Sequence, residues 1–244
     1  MASVQPTTIQ PAPAVAPSPP PPAAPPKQHT ENSRVVISGV SWEAYLGIRE
    51  LLGDLPVRLT FSDNDLEIMM PSREHEWFKS ILGRLIGILT EEMAIDMSGG
   101  GSNTLREQQA QRGLEPDDCF WIAHAQEMRG PKNYDPAKDP PPDLATEIEI
   151  SRAAVGRLPI YASLRVPEVW RFDGTTIRVL HLGSDGEYHE AAQSLSFPYV
   201  PMAEVARFLV EGVTMSDTEI ARRFRAWVRS QIASGAFPKP PSTP

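Results

Sequence analysis

The amino-acid sequence predicts a mixed α/β fold in which a β-sheet is flanked by helices. Two patterns predict it. Apolar residues recur at helical spacing in several separated segments, most clearly from Glu74 to Met93. Between these segments, short runs alternate apolar and polar residues with the period of a strand. The resulting order is helix, hairpin, long helix, strands, helix, strands, helices, which packs as layers around one sheet.

Order is expected from about Val35. Ser41 fits the N-cap of a short helix that carries Trp42, Tyr45, Ile48, Leu51 and Leu52 at helical spacing. Val57, Leu59 and Phe61 alternate, Ser62 to Asp65 form a turn cluster, and Leu66, Ile68 and Met70 alternate again, which makes a hairpin. Pro71 and Ser72 open the long helix, whose stripe is Phe78, Ile81, Leu82, Leu85, Ile88 and Leu89. The glycine triplet Gly99 to Gly101 lacks the Gly-Lys-Ser/Thr of a phosphate loop and reads as an ordinary loop. Strands are expected near Asn103 to Glu107, Leu114 to Ile122 and, after a Pro-rich connection, Leu144 to Ile150. A short helix follows near Val155 to Leu164, with Pro159 in its first turn, where a missing N–H costs little. Strands recur at Glu168 to Phe172, Ile177 to Leu182 and Tyr188 to Ala191, separated by the turn signals Asp173-Gly174 and Asp185-Gly186. Helices near Met202 to Glu211 and Asp217 to Ala233 end the ordered chain.

Composition bounds the organisation. Residues 1–34 are dominated by Pro, Ala, Thr and Gln, with Pro19 to Pro22 consecutive. Such a segment cannot bury enough apolar surface to offset its ordering entropy, so it reads as a disordered tail of polyproline character. Residues 35–235 form the expected domain and 236–244 a second disordered tail. A single cysteine, Cys119, excludes a disulfide within the chain and fits a reducing compartment. There is no basic-then-apolar leader and no apolar run of about 18 residues, so a cytoplasmic protein without membrane association is expected. The net charge of -8 argues against a non-specific nucleic-acid binder. It is compatible with clustered carboxylates whose charge is offset by bound cations.

Three acidic positions stand out. In the strand from Leu144, Glu147 and Glu149 share one face because side chains alternate. Buried unpaired carboxylates are costly unless a cation or hydrogen bonds compensate, and hard cations such as Mg²⁺ are their natural partner. An edge strand with a solvated Glu face gives the same pattern. Asp117 follows Pro116 at a strand start and faces away from Asp118; a turn aspartate reads the same way. Glu74 lies on the stripe of Phe78, Ile81 and Leu85, with His75 bordering it, although an acid in a first turn also complements the helix dipole. Arg157 is close enough to the Glu147 strand to lean back over the carboxylates.

The run Pro142-Asp143-Leu144 to Glu147, then Tyr161-Ala162, then Val166-Pro167-Glu168-Val169-Trp170 resembles the PDL-x-x-E … YA-x-x-GVPE-x-W signature of Uma-type restriction endonucleases, members of the PD-(D/E)XK superfamily. Glu115-Pro116-Asp117 resembles that family's upstream Pro-Asp strand, and Ser72 to His75 its helix opening. The likeness covers most of Trp42 to about Phe208. It implies a restriction endonuclease-like fold with one or two Mg²⁺ (or Mn²⁺) held by an Asp and a Glu. Position by position, Asp117 and Glu147 would be the metal ligands. Asp143 is the alternative, since it matches the second Pro-Asp; Asp117 is preferred because the superfamily Asp usually precedes the Glu strand. Glu149 and His75 are secondary candidates. Two departures are visible. The superfamily's Lys, two residues after the Glu, is Glu149 here, and the lysine that Uma-type sequences carry four residues before the Tyr is Arg157. The Gly before Val-Pro-Glu is Arg165.

The expected activity is hydrolysis of DNA phosphodiester bonds, with Asp117 and Glu147 on the metal, Arg157 on the phosphate and Glu74 or His75 completing the site. DNA is the expected partner, and a homodimer is left open. Arginine keeps the charge of lysine but transfers no proton at neutral pH. The alternative is therefore a catalytically impaired nuclease fold that binds DNA or a protein.

Overall fold

A computed structural model describes residues 32–238 except 54, 132, 133, 152 and 154. The chain runs β1 (Ser33–Ser38), α1 (Trp42–Leu52), β2 (Arg58–Ser62), β3 (Asp65–Met70), α2 (Arg73–Met93), β4 (Ser98–Gly99), β5 (Leu105–Glu107), β6 (Arg112–Leu114), β7 (Asp118–Trp121), β8 (Leu144–Ile148), α3 (Leu158–Ser163), β9 (Glu168–Phe172), β10 (Ile177–Leu182), β11 (Tyr188–Ala191), α4 (Met202–Gly212) and α5 (Asp217–Ser234). The architecture is the expected mixed α/β arrangement of strands flanked by helices. Most of the two segments expected to be disordered, 1–34 and 236–244, lies outside the described residues. β1 already begins at Ser33, and Phe237 is buried against Trp227 with ring centroids 5.5 Å apart.

The strands divide into two sheets rather than one. The first has the order β1-β3-β2-β6-β5 and the second β11-β10-β9-β8-β7-β4. The division falls inside the segment expected to be a single strand from Leu114 to Ile122. β6 ends at Leu114 in the first sheet and β7 starts at Asp118 in the second, so Glu115-Pro116-Asp117 crosses between them. Pro116 has no N–H to give to a ladder, which suits a residue at that break. In the second sheet β8 and β9 are parallel, and the chain between them carries α3.

The second sheet is covered on both faces. Leu144, Ile148, Trp170, Phe172 and Val179 pack with the buried stripes of α2, α4 and α5. Ala145, Val169 and Leu180 face the other way, onto Ile160, Tyr161 and Leu164 of the α3 segment. Alternation thus sends Glu147, between Thr146 and Ile148, to the α3 side.

Two signature positions serve this packing. Arg165, where the family has Gly, adopts φ 58° just after α3, and its amide and that of Val166 close the helix onto Ala162 and Tyr161 carbonyls. A left-handed residue at a helix C-terminus is where glycine is cheapest. Glu168 is fully buried and accepts from Trp170 Nε1 (2.9 Å), the Leu195 amide (3.1 Å), the Ser196 amide (3.0 Å) and Ser196 Oγ (2.9 Å). It pins the loop after β11 to the start of β9.

Candidate active site

The site forms where the chain crosses between the sheets. Asp118 pairs with Thr146, so Asp117 lies alongside Glu147 and Ile148 at the end of β8. Asp117 Oδ2 accepts the Ile148 amide at 2.7 Å and lies 3.1 Å from His75 Nε2. Asp117 Oδ1 is buried and has no hydrogen-bond partner. Ser72 caps α2, accepting the His75 amide at 3.1 Å, and so fixes the turn that delivers the imidazole.

Glu147 is 3% exposed. Arg157 Nη2 lies 2.9 Å from its Oε1, and the Tyr161 hydroxyl donates to the same oxygen. Arg157 and Tyr161 are four residues apart, the spacing that puts two helical side chains on one side. Arg157 is anchored further by Nη2 to the Glu115 carbonyl (2.5 Å) and Nη1 to Thr60 Oγ1 (3.4 Å), which belong to the first sheet and its exit. The guanidinium therefore ties both sheets to the catalytic candidate.

Burial pushes the Glu147 carboxyl up to about 8, and the Asp117 charge adds to this while Arg157 opposes it. Burial acts on Asp117 in the same sense, but His75, Arg157 and the Ile148 amide together outweigh it and hold the carboxyl below its usual range. Burial lowers Arg157, yet Glu147 above all reverses this and keeps it firmly cationic. Burial, with Glu147 next, raises Tyr161 well above the ordinary phenol range. A cavity of about 520 Å³ opens on this group, lined among others by Glu147, Glu149, Arg157, Tyr161, Arg171 and Arg178.

The structure thus brings together Asp117, Glu147, Arg157 and His75. It does not bring Glu74, which is exposed. The expectation that Glu74 heads the buried stripe is corrected: Glu74 has the stripe's angular position but sits in the first turn of α2 and is exposed, and the first buried side chain of the helix is His75. Asp143 is occupied elsewhere. It accepts the Ile122 amide (2.7 Å) and the His124 amide (3.1 Å) and meets His124 Nδ1 at 2.7 Å. It lies four residues before Glu147 along an extended chain, or roughly 13 Å away. Glu149 pairs with Arg171, its Oε1 accepting Nε at 2.7 Å. Tyr161, a signature residue with no expected site role, also joins the site through Glu147, and its four-residue spacing from Arg157 is the sequence signal for it.

Among the described residues no three His, Cys, Asp or Glu side chains converge as a ready-made metal cluster. What the site offers a cation is two carboxylates, one with an unused buried oxygen. Mg²⁺ suits such a set, since it commonly takes one or two carboxylates and keeps several waters.

The profile of the Uma2 family, described as "Putative restriction endonuclease", matches residues 42–209. The chain belongs to the Uma2 family. The Uma2 match spans every site residue above and leaves out β1 and α5. A crystal structure of a "putative nuclease belonging to DUF820" from Anabaena variabilis is similar at 14% identity and TM-score 0.43, over 76% of this chain and 99% of that one. No curated protein matches the chain. No helix among the described residues of this Uma2 protein is long and apolar enough to cross a membrane.

Proposed function

We propose that this Uma2 chain is a metal-dependent endonuclease that hydrolyses DNA phosphodiester bonds, with Asp117 and Glu147 holding Mg²⁺ or Mn²⁺. The observation that carries this reading is Asp117 Oδ1, a buried carboxylate oxygen left without a partner beside a second buried carboxylate. Leaving such an atom unsatisfied costs about 1–3 kcal/mol, which a bound cation would offset. When bound, the cation would neutralise phosphate charge and activate water.

The side chains divide the remaining work. His75 and the Ile148 amide hold Asp117 Oδ2, which fixes the carboxylate plane and leaves Oδ1 for the cation. Tyr161 and Arg157 hold Glu147 through Oε1. Glu147 must shed its proton before it can serve as a ligand. Arg157, at the cavity wall, presents a permanent positive charge to a phosphate and stabilises the charge that develops there.

One observation favours a second reading. Arg157 already sits 2.9 Å from Glu147, so the two can stay closed on each other in a protein that binds DNA without cutting it. Supercoiled plasmid with Mg²⁺ or Mn²⁺ separates the two. Nicking that drops at least about 1,000-fold in Glu147→Ala supports the nuclease. Undiminished nicking by Glu147→Ala sinks the assignment, and DNA bound but uncut by the wild type supports the second reading.

A further inference from the structure

The α3-facing side of the second sheet carries a row of charges of which the proposed chemistry uses only Glu147. In the parallel β8–β9 register Glu147 stands opposite Arg171, and in the antiparallel β9–β10 register Arg171 stands opposite Arg178. Residues directly opposite share a face, so Glu147, Arg171 and Arg178 form one line across three strands. All three line the same cavity.

The two arginines are unequal. Arg171 is bound to Glu149 through Nε and Nη2, and its charge is largely met. Arg178 is exposed and has no hydrogen bond or ion pair among the described residues. The nearby Asp173 is spent on its own turn, its carboxylate accepting from Thr175 and Thr176. Like charges set directly opposite on a sheet destabilise it. A chain with net charge -8 repels a polyanion overall, so the unpaired cation of Arg178 at a cavity mouth is where an anion is accepted. Arginine forks match phosphate oxygens in particular. Strands lie about 4.8 Å apart, so the Arg178 backbone is roughly 10 Å from that of Glu147. That is too far for the phosphate at Glu147 itself and suits a neighbouring one.

We propose that Arg178, backed by Arg171, is a phosphate-binding subsite that holds the DNA backbone beside the bond facing Glu147. The substrate strand then runs across β8, β9 and β10 on this face. The inference rests on the nuclease reading for its substrate but not on cleavage, so the test measures binding.

The test is fluorescence anisotropy of a labelled DNA duplex titrated with the full chain in Ca²⁺, over a range of salt. Variants are Arg178→Ala, Arg178→Lys and, as a control on the opposite side of the sheet, the exposed Arg222→Ala of α5. Thermal melts check that each is folded. Arg178→Ala is expected to bind more weakly at every salt, with a slope of log affinity against log salt shallower by about 0.9. Arg178→Lys should keep the slope and Arg222→Ala should match the wild type. Arg178→Ala binding like the wild type, a loss equal to that of Arg222→Ala, or no duplex binding by the wild type would each overturn the subsite. Plasmid nicking is scored separately. Binding lost in Arg178→Ala with no wild-type nicking sinks the nuclease and keeps the subsite; nicking with unaltered Arg178→Ala binding does the reverse.

Discussion

Two buried carboxylate sites lie in neighbouring strands of the same sheet, and they are built to opposite rules. Glu168 in β9 is 0% exposed and receives four hydrogen bonds, two of them from backbone amides. Asp117 and Glu147 are nearly as buried, at 1% and 3%, but Asp117 keeps one oxygen unmatched and Glu147 faces a cavity. Glu115 follows the first rule, with Arg49 at 2.6 Å, Thr104 at 3.2 Å and the Leu59 amide at 3.2 Å. Burial of an acid therefore does not by itself mark chemistry. A saturated carboxylate holds the fold together, whereas one that keeps an unmatched oxygen, as Asp117 does, or faces a cavity, as Glu147 does, is available to a ligand.

The largest stability effect follows from the saturated site. Glu168→Ala strands the indole N–H of Trp170 and the amides of Leu195 and Ser196. At about 1–3 kcal/mol per buried donor the loss should reach about 4 kcal/mol. Urea denaturation would show it. A loss below about 1 kcal/mol would mean that water replaces the carboxylate and that saturation is not what makes Glu168 structural.

A smaller effect of the opposite sign is expected at the unsaturated site. Mn²⁺ or Mg²⁺ should raise the melting temperature, by an amount equivalent to about 2.7 kcal/mol at a hundredfold excess over its dissociation constant. Asp117→Asn should abolish this response. Because burial raises the Glu147 carboxyl to about 8, the ligand form is the minority below that pH. The metal-induced shift should therefore grow as pH rises from 6 towards 8, proton release accompanying metal uptake. A shift that is equal at both ends of that range, or that persists in Asp117→Asn, would place the metal elsewhere.

The local elements were legible because each depends on residues close in sequence. The β9, β10 and β11 spans match their alternation and turn signals, and Ser41 and Ser72 cap their helices. The split into two sheets was not legible. It depends on β6 pairing with β2 and β7 with β8, partners tens of residues away that leave no mark in local periodicity. Pro116 was the one local sign of the break. The same limit applies to the site. Asp117, Glu147 and Arg157 could be named from face alternation and the family likeness, but the partner of Glu149 could not. Arg171 meets it through the parallel β8–β9 register, which only the fold sets. Glu74 misled because spacing gives a residue's angle around α2 but not whether anything packs over its first turn, where Glu74 is exposed.

The smallest expected effect concerns Arg165, which lies in the signature yet belongs with Glu168 rather than Glu147. Its φ of 58° is a left-handed conformation, which costs an ordinary residue about 1–2 kcal/mol. Glycine avoids that strain but loses more backbone entropy on folding, so Arg165→Gly should gain about 0.5–1 kcal/mol. It should leave plasmid nicking, duplex binding and the Mn²⁺ response unchanged, because the residue closes α3 without touching the carboxylates. Paired urea and nicking measurements check both halves. A variant that changes nicking while stability stays put would show that the α3 terminus sets the position of Arg157 and Tyr161, and would move this part of the signature from the fold to the site.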